Sequence, residues 1–163
     1  MRKADRAIED EAERLEALLS CDWLTLSLAD EDGAPYCVPL NFGAEKTREG
    51  VALYFHCARE GKKLDLLRAD GRVAFCAARL HRVFNKGVAP CGWTSDYTSV
   101  CGRGEAEILR GEAERLHGLK VLMRHYTDER FSDESFAPRA LALCEVVRVR
   151  VREWTGKRLV RPE

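Results

Sequence analysis

Three cations crowd one short turn. Arg59, Lys62 and Lys63 flank Gly61 between a strand-like run, residues 51–58, and a helical one that opens with Leu64, Leu67 and Arg68 at helical spacing. Ammonium and guanidinium groups beside the free N–H groups of a helix N-terminus make an anion site. The same residues also read as a solvated basic turn on an ordinary strand–helix connection. His56 ends the strand three residues before Arg59, on the face opposite Val51, Leu53 and Phe55. An imidazole there suits ligand contact, because histidine titrates near neutrality; it equally suits a hydrogen-bonded structural residue.

Other chemistries lack their patterns. The chain has no Gly-x-x-x-x-Gly-Lys-Ser/Thr, no Gly-x-Ser-x-Gly, and no Gly-x-Gly-x-x-Gly opening a helix. Gly102-Arg103-Gly104 lies inside a strand pattern and suits a bend or bulge. His81, Cys91 and Cys101 have no metal-ligand spacing. The seven cysteines are dispersed, form no Cys-x-x-Cys, and sit mostly in apolar runs, as small core residues do. Arg148, Arg150 and Arg152 alternate with Val147, Val149 and Val151, the pattern of a sheet with one solvated face. His117 and His125 read as surface or capping residues on a helix.

The elements that carry the turn follow from periodicity. Residues 5–20 form an amphipathic helix with Ile8, Ala12, Leu15 and Leu19 on one stripe. Residues 23–28 and 35–42 alternate around an Asp-Gly turn, a hairpin whose second strand carries Pro35 and Pro39 and so borders an edge or a bulge. A polar turn over 46–50 precedes the central strand. A fourth strand covers 72–77, a loop 79–92, a fifth strand 97–109, a helix 111–126 striped by Leu116, Leu119, Met123 and Tyr126, a polar connection 127–139, and a last strand 141–154. A tail begins near residue 156. Six mostly antiparallel strands with peripheral helices predict a single mainly β domain, α+β in composition, spanning 1–163 and folded as a small barrel.

The 27 basic and 27 acidic residues cancel, so no long-range field draws the chain to nucleic acid or an anionic membrane. No apolar run is long enough to span a bilayer, and the charged start is unlike a signal peptide. The expected location is the cytoplasm.

The order of segments resembles a known family. Pro-x-x-x-Pro-Leu-Asn-Phe, Tyr-Phe-His-Cys-Ala, Gly-Lys-Lys, Gly-Arg-Val-Ala-Phe, Tyr-Thr-Ser-Val-Cys-Gly-Arg-Gly-Glu-Ala and Trp-Thr-Gly-Lys-Arg occur in sequence across residues 3–158. Together they resemble the FMN-binding split-barrel proteins of the pyridoxamine 5′-phosphate oxidase-like superfamily, and within it the nitroimidazole-resistance (Nim) group. The resemblance implies a six-stranded antiparallel split β-barrel with peripheral helices, dimerising with FMN at the subunit interface. It implies that Lys62 and Lys63, with Arg59 nearby, hold the FMN phosphate. Asn41, Phe42, His56, Cys57 and Ala58 match segments that run along the flavin, largely through backbone. Thr98, Ser99 and Val100 match the strand approaching from the other side, and Trp154 a tryptophan that reaches the ring from the partner subunit. His56 matches the Nim histidine assigned a catalytic or ligand-holding role.

The substrate-phosphate arginines of a vitamin B6 oxidase are reduced here to Lys157, Arg158 and Arg161, which argues against that reaction. The expectation is an FMN-dependent reductase of small electron-poor substrates such as nitroaromatics, fed by a nicotinamide or another donor. The alternatives are a flavin-binding carrier or sensor without turnover, and a haem-binding split barrel; nothing specific signals haem or F420.

Overall fold

The computed structural model describes residues 4–161. All six expected strands are present, and two more join them. A 3-10 turn at Ala4–Arg6 leads into β1 (Ala7–Ile8), then α1 (Glu11–Leu19). The expected 5–20 helix is therefore shorter. The Asp10 carboxylate accepts from the Glu13 N–H at 2.9 Å and fixes the helix start there, while Ile8 is buried in a strand. Next come β2 (Leu24–Ala29), β3 (Pro35–Leu40), β4 (Gly43–Thr47), β5 (Gly50–Ala58) and α2 (Lys62–Ala69). They are followed by β6 (Arg72–Asn85), β7 (Trp93–Ile108), α3 (Glu112–Tyr126), α4 (Pro138–Ala142) and β8 (Cys144–Leu159).

Every strand pairing is antiparallel, in the order β3-β2-β6-β7-β8-β5-β4, with β1 added to β8. β3 and β4 are the two ends of that order, yet only Asn41 and Phe42 separate them in the chain. The sheet therefore curls until its ends meet, and no ladder joins them among the described residues. This seam makes the architecture a split barrel. Tyr126 pins it: its hydroxyl accepts from the Phe42 N–H at 3.1 Å and donates to the Asp22 carbonyl at 2.9 Å. Gly43 follows because a Cβ there would lie 2.5 Å from the Val121 carbonyl oxygen of α3.

The barrel interior takes Leu24, Leu26 and Leu28 from β2, Leu53 and Phe55 from β5, Phe75 from β6, Val100 from β7 and Val147 and Val149 from β8. Each such side chain contributes about 1.5–3 kcal/mol by leaving water. A smaller cluster of Ala52, Tyr54, Val121 and Val146 lies beneath α3. β5 is thus buried on both faces, which explains its continuous apolar run.

Several expected boundaries are corrected. Half of the expected 79–92 loop is strand: β6 runs to Asn85, and with β7, which begins at Trp93, it forms a long two-stranded arm. Its polarity reflects exposure, and its base is held by Asp96, 2% exposed, which accepts from Arg82 Nη2 at 2.8 Å and faces Arg161 at 3.6 Å. The polar stretch 46–50 hides the end of β4. α3 buries Gly118, Val121 and Leu122 rather than the expected stripe, because Gly118 lets the helix rest on Tyr54 and Val146. β8 continues through residue 156 to Leu159, paired with β7 and β1, so no tail begins there. The arginine face of β8 is a charge ladder, with Arg150 on Glu107 at 3.0 Å and Arg152 on Glu105 at 2.8 Å. The cysteines are not core residues as a group: Cys21 is buried, whereas Cys37, Cys76, Cys91 and Cys101 are exposed.

Candidate functional site

The β5–α2 connection is tight because Gly61 adopts φ +125°, a conformation that side-chain-bearing residues rarely take. The Gly61 carbonyl accepts from Leu64 at 2.9 Å and from Asp65 at 3.2 Å, which starts α2. The N–H groups of Lys62 and Lys63 have no partner among the described residues, as expected for a first helical turn. They leave a positive end without a capping side chain.

The three cations beside it are not equivalent. Arg59 donates to the Ala142 carbonyl at 3.2 Å and lies 3.7 Å from Glu145, a buried carboxylate that also faces Arg110 at 3.9 Å. Lys62 leans over the Tyr36 ring, 5.1 Å from its centroid, with Asp30 at 3.7 Å. Lys63 is half-buried over the Phe55 ring at 5.3 Å and has no carboxylate within 4.0 Å among the described residues. It is the uncommitted charge of the turn.

Strand alternation sorts the neighbours. Cys57 shares the Phe55 side, where burial pushes its thiol up although Lys63 pulls it down. His56 faces the other way, exposed at the strand end opposite Val146, and its ring has no hydrogen-bond partner among the described residues. Ala58 and Asn41 are exposed as well. Phe42 is fully buried against His125, ring centroids 4.5 Å apart, and its amide is already taken by Tyr126. Asn41, Phe42, His56, Cys57, Ala58, Arg59, Lys62 and Lys63 thus gather around the seam and the turn.

The remaining candidates lie elsewhere. Val100 pairs with Gly156, ten residues further along β8 than the partner of His56; at about 3.3 Å per residue that is ~33 Å of strand. Thr98 is buried with its hydroxyl 2.8 Å from His81 Nε2. Ser99 is half-buried, and Trp154 lies opposite Gly102 with the Arg14 guanidinium 4.9 Å from its ring centroid. His81 is therefore a partner of Thr98, and no metal-ligating cluster occurs among the described residues.

Three contributors gave no sequence signal of their role: Tyr36 under Lys62, Glu145 between two arginines, and Tyr126 at the seam. His125 is also no surface residue. It packs between Phe42 and Tyr126, its Nε2–H donating to the Cys21 carbonyl at 3.0 Å, and burial lowers its pKa. A cleft of about 710 Å³ opens on another face, floored by Ser27, Ala74 and Gly104 and rimmed by Arg72, Arg103 and Arg152. None of the residues around the turn lines it.

A family model described as pyridoxamine 5′-phosphate oxidase matches residues 10–158. Among solved structures, the chain is similar to a proposed 5-nitroimidazole antibiotic resistance protein from Bacteroides thetaiotaomicron, at 30% identity and TM-score 0.78, over 93% of this chain and 85% of that one. It shares its fold with an FAD and haem binding protein from Mycobacterium smegmatis, at 19% identity, TM-score 0.76, covering 94% and 73%. An FAD-binding protein from Mesorhizobium loti is similar at 21% identity, TM-score 0.66, covering 95% and 98%. Among proteins of curated function, none matches. No helix among the described residues is long and apolar enough to cross a membrane.

Proposed function

Because the chain belongs to the pyridoxamine 5′-phosphate oxidase-like family of split barrels, we propose that it is an FMN-dependent oxidoreductase acting on small electron-poor substrates, nitroaromatics above all. The observation that carries the reading is Lys63, a half-buried ammonium that has no counter-charge among the described residues, beside two helix N–H groups that have no partner among them. A phosphate monoester dianion fits that donor set, since charge-assisted hydrogen bonds favour it over neutral ligands. When bound, the flavin supplies the redox chemistry.

The chain's own residues bind, orient and protonate. Lys63 and the amides of Lys62 and Lys63 hold the phosphate; Lys62 adds a second cation by giving up its long contact with Asp30. Asn41 and the backbone of His56, Cys57 and Ala58 run beside the ring system. Arg59 keeps Glu145 neutralised at the base of the turn. The exposed His56 imidazole delivers a proton to an oxygen of the substrate as it is reduced.

Ser99 and Trp154 would reach the flavin from a second copy, with Thr98 and Val100 turned inward and shaping the strand behind them. Their distance along β8 from the phosphate turn supports this arrangement, because a two-fold dimer sets one end of each subunit against the other end of its partner, twice. A nicotinamide or other cytoplasmic donor provides the electrons.

The test begins with the absorption spectrum of the purified protein and the identity of any chromophore released by acid. It continues with anaerobic reduction by NADPH and NADH and reoxidation by a nitroimidazole. Released FMN and nitroimidazole-dependent reoxidation are the expected results. Bound flavin that no nitro compound reoxidises would leave a carrier or sensor, and a Soret-type band lost in His56→Ala would replace the reading with haem binding.

A further inference from the structure

Two cysteines that the flavin chemistry does not use face each other in the middle of the sheet. Cys76 of β6 and Cys101 of β7 are direct cross-strand partners. Their neighbours Phe75, Ala77 and Val100 point into the barrel, so the cysteines lie on its outer face, and both are exposed. Cys101 Sγ donates to Cys76 Sγ at 3.3 Å. Around them the same face carries Ala74 and Ala78 on β6, Thr25 opposite Cys76 on β2, Ser99 on β7 and Thr155 opposite Cys101 on β8, with Arg103 engaged by Glu153 at 2.6 Å beyond them. Neither thiol fills a core gap.

We infer that Cys76 and Cys101 form a reversible intramolecular disulfide by exchange with a low-molecular-weight disulfide. Directly opposed residues of an antiparallel pair have Cα atoms about 4.5–5.5 Å apart. That lies inside the window a disulfide needs, roughly 4.4–6.8 Å. Side-chain rotation alone brings the sulfurs together, with no strand movement. The other two exposed cysteines lack this arrangement: Cys37 faces Ser27 Oγ at 3.2 Å, and Cys91 lies in the turn of the arm.

Burial pushes the Cys76 thiol up to about 11. Either thiolate can open the exchange, and the steps are the same with Cys101 first. Its thiolate attacks one sulfur of the small disulfide, forms a mixed disulfide and expels one thiolate. Cys76, losing its proton to solvent, then attacks Cys101 Sγ and expels the second thiolate. The protein loses two thiol hydrogens and two electrons; one small disulfide becomes two thiols. The product staples β6 to β7 at mid-ladder and makes the central sheet responsive to thiol redox state, with or without flavin.

Reduced protein incubated with oxidised glutathione provides the test, read by thiol titration, non-reducing peptide mapping and intact mass. Wild type should lose two of its seven thiols to a Cys76–Cys101 link, two hydrogens lighter and without retained glutathione. Cys76→Ser should keep one glutathione on Cys101, and Cys37→Ser should still form the link. Wild type that retains glutathione on Cys101, or in which Cys76 and Cys101 stay reduced while Cys37 and Cys91 react, overturns the inference.

Discussion

Replacing Lys63 by alanine separates phosphate recognition from everything else around the turn. Lys63 meets no carboxylate among the described residues, so its removal strands no buried anion there. Its contact with the Phe55 ring makes a cation–π contribution of about 0.5–1 kcal/mol. That corresponds to a Tm loss of roughly 1–4 °C for a chain of this size. Binding should suffer more. A hydrogen bond to a charged group contributes about 1.5–3 kcal/mol, so the Kd for FMN should rise roughly 10- to 150-fold. Riboflavin, which has the same ring and no phosphate, should bind wild type and Lys63→Ala alike. Arg59→Ala is the contrasting variant. Its guanidinium is engaged by Glu145 and the Ala142 carbonyl, so the loss should fall on stability, with Glu145 left to Arg110 alone. Fluorescence titration of the apoprotein with both ligands, beside thermal melts, reads all of these quantities. Equal losses for FMN and riboflavin, or a larger FMN loss in Arg59→Ala than in Lys63→Ala, would refute the phosphate assignment.

His56→Ala should fold and hold flavin normally, since the ring is exposed and unbonded. Nitroaromatic reoxidation per bound flavin should slow ~10²-fold, the lower end for a positioned acid–base group; stopped-flow rates within a few-fold of wild type would remove His56 from the mechanism. Light scattering on the eluting protein should give twice the 18.5 kDa chain mass, and a monomer with stoichiometric FMN would contradict the two-copy site. Burial pushes the Asp96 carboxyl up, but Arg82 and Arg161 outweigh it and hold it below the ordinary value. Its stabilisation is therefore complete above the unfolded value of about 3.9 and is lost as pH falls through the lower folded value. Asp96→Asn should melt below wild type at pH 7, and the gap should close under strong acid; a gap independent of pH would show that the carboxylate charge contributes nothing.

How far the sequence could be read depended on whether a residue's partner was local. The β5–α2 unit was legible because its signals are adjacent: an apolar run, a glycine and clustered cations. Pro35 and Pro39 narrowed their strand to an edge or a bulge, since a missing N–H matters wherever the strand lies, and the fold makes it an edge. β4 was invisible because Gly43–Thr47 carries glycine, Glu45 and Lys46, and its strand character comes from pairing with β5 and from α3 lying against it. The α3 stripe was misplaced because its closest contact is made by Gly118, which carries no hydrophobic signal. A search for neighbouring Cys-x-x-Cys could not find Cys76 and Cys101, which are brought together only by the β6–β7 register. Thr98, Ser99 and Val100 came from family likeness, and their separation from the turn could be measured only along the folded β8.

The seam also sets how tightly different parts of the backbone are held. β7 is paired on both sides over most of its length, by β6 and by β8, so most of its amides can meet solvent only when the barrel as a whole comes apart. β3 and β4 are each paired on one side only among the described residues, and the link between them is held by the Tyr126 hydroxyl and the buried Phe42 ring. Opening there breaks no ladder. The molecule therefore has a stiff spine and a yielding mouth, and the yielding part is where Asn41 meets the end of β5. Deuterium uptake should trace that gradient, fastest at the lips of the seam and slowest along β7, and a ligand seated at the phosphate turn should slow exchange at the lips while leaving the spine as it was.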